Sequence, residues 1–318
     1  MNGPAIFGWA GPLLLLSPAT GLTAFIHTPQ GHWMTVDETE IRLPAGWQTA
    51  IEQILANGGG RVLVLGAVDS GKSTFCRALM AAADRRACTY TLVDTDPGQK
   101  MVGPPATLSR SQPTTPDRLA AIAFVGTTSA AEALSGVRQG LPRLMKHHGQ
   151  TTLTVINTSG LLSGRGRALK ATVIDAARPQ LIVVLGDDPA LDAILQPHRR
   201  LPVLRLAASP HARRRGRNER RRARMAAFAE YFGEAAHAVT LPLKCARWQG
   251  DREPIPRQLV GLADQNGQDR ALGVILERPD QSGVSLLAPE CDISAIRLLR
   301  PGRLLLSESW EAMPIGID

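Results

Sequence analysis

With 318 residues, 44% of them apolar and 20% charged, the chain can form one large or two modest domains, and a disordered or collagen-like protein is excluded. Its 36 Lys and Arg outnumber 28 Asp and Glu for a formal net charge of +8, which points toward polyanionic partners. That charge is local. Residues 211–224 hold eight arginines (Arg213, Arg214, Arg215, Arg217, Arg220, Arg221, Arg222, Arg224) and one glutamate, Glu219, and so carry seven of the eight net charges.

The first 43 residues, rich in Gly, Pro and short apolar runs such as Thr23–His27, read as a short β-rich segment. A helix is predicted from about Pro44, with Trp47, Ile51, Ile54 and Leu55 on one face, and Gly58-Gly59-Gly60 ends it. Strand-like runs then alternate with helical patterns. The strands fall at Arg61–Leu65, Tyr90–Val93, Ala121–Val125, Leu153–Ile156, Leu181–Leu185 and Val203–Leu206. The helices fall at Gly71–Ala83, Ala130–His147, Ala168–Ala177 and Asn218–Phe232. Such alternation predicts an α/β domain over residues 44–236, a mainly parallel sheet flanked by helices on both faces. From residue 237 to 318 the texture changes to short strands with turn signals, at Leu259–Leu262, Leu272–Leu276, Val284–Leu287 and Ile296–Leu299, which predicts a separate small β-rich domain.

Cys76, Cys88, Cys245 and Cys291 lack metal-ligand or disulfide-framework spacing and read as reduced thiols, with no zinc site expected. No basic residue precedes the Leu13–Leu16 run, which stops at Pro18, so no signal peptide is expected. No apolar run approaches the ~20 residues of a membrane span. A cytoplasmic protein without a membrane partner is the expectation. His147-His148 reads as a helix end beside Gly149, not as a metal site.

Gly66 to Thr74 reads GAVDSGKST and fits G-x-x-x-x-G-K-[ST] between a strand-like run and a helical pattern. The backbone N–H groups of such a loop turn inward around phosphate oxygens, and the helix N-terminus adds partial positive charge. Lys72 can reach the β and γ phosphates, and the Ser73 hydroxyl can ligate Mg²⁺. Gly66, Asp69, Ser70, Gly71, Lys72, Ser73 and Thr74 are therefore the expected nucleotide-binding set. Tyr90–Val93 runs into Asp94-Thr95-Asp96-Pro97-Gly98-Gln99, and carboxylates leaving the C-terminal end of a strand project to where ligands bind in open α/β sheets. Two apart in an extended segment, Asp94 and Asp96 are expected to point the same way, one holding the water shell of Mg²⁺ and the other accepting a proton.

Arg213, Arg217, Arg220 and Arg224 follow helical spacing, with Arg221 four beyond Arg217, and Met225, Phe228, Ala229 and Phe232 continue the pattern as an apolar stripe. A helix that is basic in its first half and packed in its second suits a lid on a triphosphate or a grip on a nucleic-acid backbone, with a merely solvated basic face as the plain alternative. Like charges four apart disfavour an isolated helix, so holding them together implies an anionic ligand.

In this order the motifs resemble the P-loop polynucleotide 5′-hydroxyl kinases, the family of the pre-mRNA cleavage factor kinase subunit and the ribosomal-RNA-processing kinases. The resemblance spans roughly residues 43–300 through LPAGWQTAIEQI, GAVDSGKSTFCRALM, VDTDPGQ, FVGTTS, VINTSGLLSGRG, the arginine helix ending in AEYF, and LVGLADQNG with LGVILE. It implies transfer of the ATP γ-phosphate to the 5′-hydroxyl end of RNA or DNA, with Mg²⁺. On that pattern Lys72 holds phosphates, Ser73 and Asp94 serve the metal with Asp96 beside them, and Asp96 deprotonates the 5′-hydroxyl. Thr127, Thr128 and Ser129 match the clasp that grips the nucleic-acid end, Gln99 matches the substrate-side motif, and Arg217, Arg221 and Arg224 fall in the lid. Two positions depart from the pattern: Leu161 stands where many relatives have Trp after the NTxG motif, and Ala130 where Pro usually follows the clasp. An NTPase switch and a non-catalytic ATP-binding scaffold in a nucleic-acid-processing assembly are the alternatives; no N-K-x-D guanine-reading motif is found. Protein partners are not legible.

Overall fold

The computed structural model describes residues 43–146, 151–210, 212, 215–233, 236–242, 244–279 and 283–316, together with the strand pair at 24–27 and 33–36. His147, His148, Arg213, Arg214 and most of the first 43 residues lie outside the described residues. The chain divides into two compact units, residues 1–44 and 45–318. In the first, β1 (Ala24–His27) and β2 (Trp33–Val36) pair antiparallel, with Ala24 opposite Val36.

The second unit opens with α1 (Trp47–Ala56), whose Trp47, Ala50, Ile51, Ile54 and Leu55 are buried. After the glycine triplet come β3 (Gly60–Gly66), α2 (Lys72–Arg85), β4 (Tyr90–Asp94), β5 (Thr107–Gln112), β6 (Thr115–Phe124), α3 (Leu134–Lys146), β7 (Leu153–Asn157), α4 (Arg165–Ala177), β8 (Leu181–Leu185), α5 (Pro189–Leu195), β9 (Val203–Leu206) and α6 (Arg217–Phe232). The sheet order is β6-β5-β4-β7-β3-β8-β9. The five strands β4, β7, β3, β8 and β9 run parallel, and β5 and β6 add an antiparallel edge. Val62–Leu65, Leu153, Val155, Ile156 and Ile182–Leu185 are all buried, because helices cover both faces and a parallel strand so placed must be a continuous apolar run.

Within this α/β layer, β5 and α5 went unforeseen. β5 is Thr-Leu-Ser-Arg-Ser-Gln, whose buried hydroxyls replace the usual apolar run; each is hydrogen-bonded, Thr107 Oγ1 to Pro104 O, Ser109 Oγ to Val102 O and Ser111 Oγ to Gln112 O. α5 is only seven residues long, and its start is set by Asp188, whose carboxylate accepts from Ala190 N, and by Pro189 in the first turn.

The remaining strands are β10 (His237–Leu241), β11 (Arg247–Trp248), β12 (Gln258–Asp264), β13 (Asp269–Ile275), β14 (Val284–Ala288), β15 (Ile296–Leu306) and β16 (Ala312–Pro314). They form a second sheet, ordered β10-β14-β13-β12-β15-β11 with β16 on β15, antiparallel except at β11–β15. This sheet does not stand apart from the α/β layer. Phe228 and Phe232 of α6 and Ile122 and Phe124 of β6 share one core with Leu259, Leu272, Val274, Leu304 and Leu306. Phe232 stacks on Trp310 at 4.8 Å, and Tyr231 Oη accepts the Leu272 N–H at 2.9 Å. The C-terminal sheet thus forms the bed of the arginine helix. Among the described residues no helix is long and apolar enough to cross a membrane.

Candidate active site

The loop between β3 and α2 lies at the C-terminal edge of the parallel strands. Asp69 and Gly71 take positive φ (57° and 94°), which turns the loop tightly enough to present successive backbone N–H groups ahead of α2. A Cβ on Gly71 would lie 2.9 Å from the Trp47 ring, so α1 buttresses the loop from behind. Trp47 is itself held by its Nε1–H donating to Ala207 O and by an edge-on contact with Phe75. Lys72 Nζ donates to Ala67 O at 2.5 Å. Burial pulls the Lys72 ammonium down to about 8, with Asp96 the main group acting against that shift. Ser73 is half-buried and Thr74 exposed on the first turn of α2. Ser70 Oγ is buried with no hydrogen-bond partner among the described residues. Such an orphaned hydroxyl is costly unless a ligand satisfies it, and with the loop's inward N–H groups and Lys72 it fits a nucleotide phosphate.

The two aspartates are held by different sets of partners. Asp94 is fully buried at the end of β4, where its carboxylate accepts three hydrogen bonds and forms one ion pair. Oδ1 accepts from Asp96 N (3.1 Å) and Asn157 Nδ2 (3.0 Å), while Oδ2 accepts from Met101 N (2.6 Å) and pairs with Lys100 Nζ at 3.4 Å. Asp94 is therefore a clamp for the turn that follows it. Asp96 sits beyond the strand end, where Oδ1 accepts from Gly98 N (2.8 Å) and Gln99 N (3.0 Å) and aims the side chain. Among the described residues Oδ2 has no hydrogen-bond partner. Burial and the neighbouring Asp94 hold the Asp96 carboxyl above the usual carboxylate range.

The DPGQ turn abuts the predicted clasp, since a Cβ on Gly98 would fall 2.6 Å from Thr128 O. Thr127 Oγ1 donates to Glu132 Oε2 and accepts the Ser129 N–H, which fixes the segment between β6 and the short 3₁₀ turn Ala130–Glu132. Gln99 Nε2 donates to Gly98 O. Glu132, Asn157 and Lys100 were not singled out from the sequence; their roles depend on partners between 5 and 63 residues away.

The arginine helix is rotated relative to the expected lid. Arg220 Nη2 pairs with Asp69 Oδ2 of the loop at 3.0 Å. Arg224, half-buried, feels Arg220 as the nearest like charge and Asp96 as the attracting one. Arg221 is turned away, paired with Glu311 at 3.0 Å, and Arg217 stands exposed at the first position. The reason is helical phase. At about 3.6 residues per turn Arg221 falls on the same face as Phe228 and Phe232 and follows them onto the C-terminal sheet, where it meets Glu311. Arg224 and Arg220 lie about 60° and 100° round the helix from that face. Among the described residues no three His, Cys, Asp or Glu side chains gather as a metal site.

A strand–loop–helix cradle at the C-terminal edge of a mostly parallel sheet, with an acidic strand end beside it and a basic helix tied to its loop, defines a P-loop nucleotide-binding protein of the α/β class. Residues 66–234, more than half of the chain, match the family described as the mRNA cleavage and polyadenylation factor CLP1 P-loop, and the chain belongs to that family. A polyribonucleotide 5′-hydroxyl-kinase of Thermococcus kodakarensis is 27% identical over 316 residues, covering 79% of this chain and 90% of that protein. One from Methanocaldococcus jannaschii is 31% identical over 180 residues, covering 54% of this chain and 50% of that protein. The chain thus spans nearly all of the first relative and about half of the second. The solved structure of a wild-type Clp1p–Pcf11p (454–563) complex contains a chain of like fold, with TM-score 0.63 and 13% identity over 84% of this chain and 83% of that one.

Proposed function

We propose that this chain is a polynucleotide 5′-hydroxyl kinase that moves the γ-phosphate of ATP to the 5′-hydroxyl end of RNA or DNA. The observation that carries this reading is the free Oδ2 of Asp96, a carboxylate whose other oxygen is locked by two backbone N–H groups, facing a site that also holds Lys72 and Arg224. A carboxyl of raised pKa is a better base than an ordinary one, and Asp96 takes the proton of the attacking 5′-hydroxyl. The loop N–H groups, the Ser70 hydroxyl and Lys72 hold the nucleotide phosphates, and Arg224 and Arg220 offset the charge that accumulates during in-line transfer. Thr128, set against Gly98, and the adjoining Ser129 border the acceptor side. Ser73 and Asp96 are the groups available to Mg²⁺, which when bound with the phosphates supplies charge neutralisation; few protein ligands suffice because Mg²⁺ shares its shell with phosphates and water.

The test is incubation with γ-labelled ATP and Mg²⁺ against single-stranded and duplex RNA and DNA bearing 5′-hydroxyl ends. Label at the 5′ end of at least one substrate is expected. ATP hydrolysis without transfer to any of them would replace the kinase with an NTPase switch.

A further inference from the structure

Helix α4 brings a charge into the interior that the scheme above leaves idle. Lys170 is 1% exposed, and its Nζ donates one hydrogen bond, to Ser159 Oγ at 2.7 Å, with no ion pair among the described residues. Removing an ammonium from water without a carboxylate partner costs several kcal/mol, on the order of what a functional site tolerates and a core avoids. Burial pulls the group down to about 7; Lys72 pushes the same way and Asp96 opposes both.

The acceptor of that hydrogen bond lies in the segment Asn157-Thr158-Ser159-Gly160, which is stitched to both halves of the site. Asn157 Nδ2 donates to the Asp94 carboxylate, and Thr158 Oγ1 donates to Val64 O in β3 at 2.8 Å. On the far side a Cβ at Gly160 would come within 2.6 Å of the Val68 backbone in the phosphate loop. Ser159 therefore sits buried between the acidic strand end and the loop. An ammonium has three donors and no lone pair, so Ser159 Oγ must accept from Lys170 and its own O–H is left to donate. A neutral amine could accept from the hydroxyl instead and withdraw that donor.

Building on the kinase reading, we propose that Lys170 is a positioning residue for phosphoryl transfer, which fixes the Ser159 hydroxyl as a donor toward the phosphoryl group held over the loop. A phosphate there favours the charged amine, so nucleotide binding reinforces the donor it needs.

The test uses the full chain with Lys170→Met, Lys170→Ala and Ser159→Ala, assayed with ATP and a 5′-hydroxyl oligonucleotide. Each variant is expected to lose kcat by about 100-fold, as for loss of one preorganised donor, with KM for the oligonucleotide within about two-fold. The pair Lys170→Met with Ser159→Ala is expected to be no slower than the slower single variant, because the two residues act as a unit. Ethylamine is expected to restore about ten-fold of the rate lost in Lys170→Ala and none in Lys170→Ala combined with Ser159→Ala. Unchanged kcat in Lys170→Met, additive losses, or amine rescue of the double variant overturns the proposal. Should the lysine variants not fold, full kcat in Ser159→Ala does the same. If the wild type hydrolyses ATP but phosphorylates no oligonucleotide, the kinase reading fails by itself. The proposal is then read on the ratio of ATP to ADP affinity, which Ser159→Ala must lower and which, unchanged, overturns it.

Discussion

The phosphate loop and the arginine helix meet at the Asp69–Arg220 pair, yet they are held by different kinds of force. The loop is fixed locally: a buried parallel strand enters it, two positive-φ residues bend it, and a helix N-terminus closes it within twelve residues of Val62. The helix has no comparable local support, since its basic half repels itself and its only fully buried side chains are Phe228 and Phe232. It is held by strands β12, β13 and β15, which come 26 to 74 residues after Phe232, through Leu259, Leu272 and Leu306. One half of the site is thus rigid by its own backbone and the other by docking. Phosphoryl transfer needs both, a cradle that does not move and charges that can close on the phosphates once they arrive.

The largest expected effect strikes the fixed half. Lys72→Ala and Asp96→Asn should each lower kcat by about 1,000-fold, the scale of a phosphate anchor or a general base. Initial rates with labelled ATP check this, and full activity in Asp96→Asn would remove it as the base. On the docked half, Arg224→Ala and Arg220→Ala should cost about 100-fold in kcat with smaller changes in ATP affinity, measured by titration and turnover side by side.

Undermining the dock itself is a third way to separate the halves. Phe228→Ala should lower stability by about 3–5 kcal/mol in urea unfolding, as for a fully buried aromatic, and should reduce kcat through the loosened helix more than it reduces nucleotide affinity. A variant as active and as stable as the wild type would show that the helix is held elsewhere.

The pH profile of kcat/KM for ATP probes the cradle's own charges. The rate should rise with pH as Asp96 ionises, its limb displaced above the ordinary carboxylate value of 3.8 because burial and Asp94 disfavour the anion. It should fall on the alkaline side through about 7 and then about 8 as Lys170 and Lys72 lose their protons. Lys170→Met should leave only the limb near 8. The smallest effect is expected at Arg221→Ala, whose exposed pair with Glu311 contributes about 0.5 kcal/mol or less, and whose kcat should stay within about three-fold of wild type.

Contiguity decided what could be read in advance. The loop from Gly66 to Thr74, the parallel strands and the amphipathic character of α6 are written in runs of neighbours, because strand burial and helix periodicity act over a few residues. The lid's working face had a signal too, since Arg221 shares the face of Phe228 and Phe232 while Arg224 and Arg220 lie round the helix from it, but choosing between them requires knowing where those phenylalanines pack. β5 carried none, since its buried positions are serines and threonines that become acceptable inside only with carbonyl partners supplied by the fold.

The amino-acid sequence by itself determined that this protein binds phosphate on a Gly-rich loop under a concentrated positive charge. Only the tertiary structure decided which of two aspartates is free, which arginines reach the loop, and that a lysine on α4 lies buried beneath Ser159. The reason is that donors and acceptors are exchanged across 63 residues at Asp94 and Asn157 and 151 at Asp69 and Arg220. Spacing along a chain says nothing about which lone pairs such distant partners will fill.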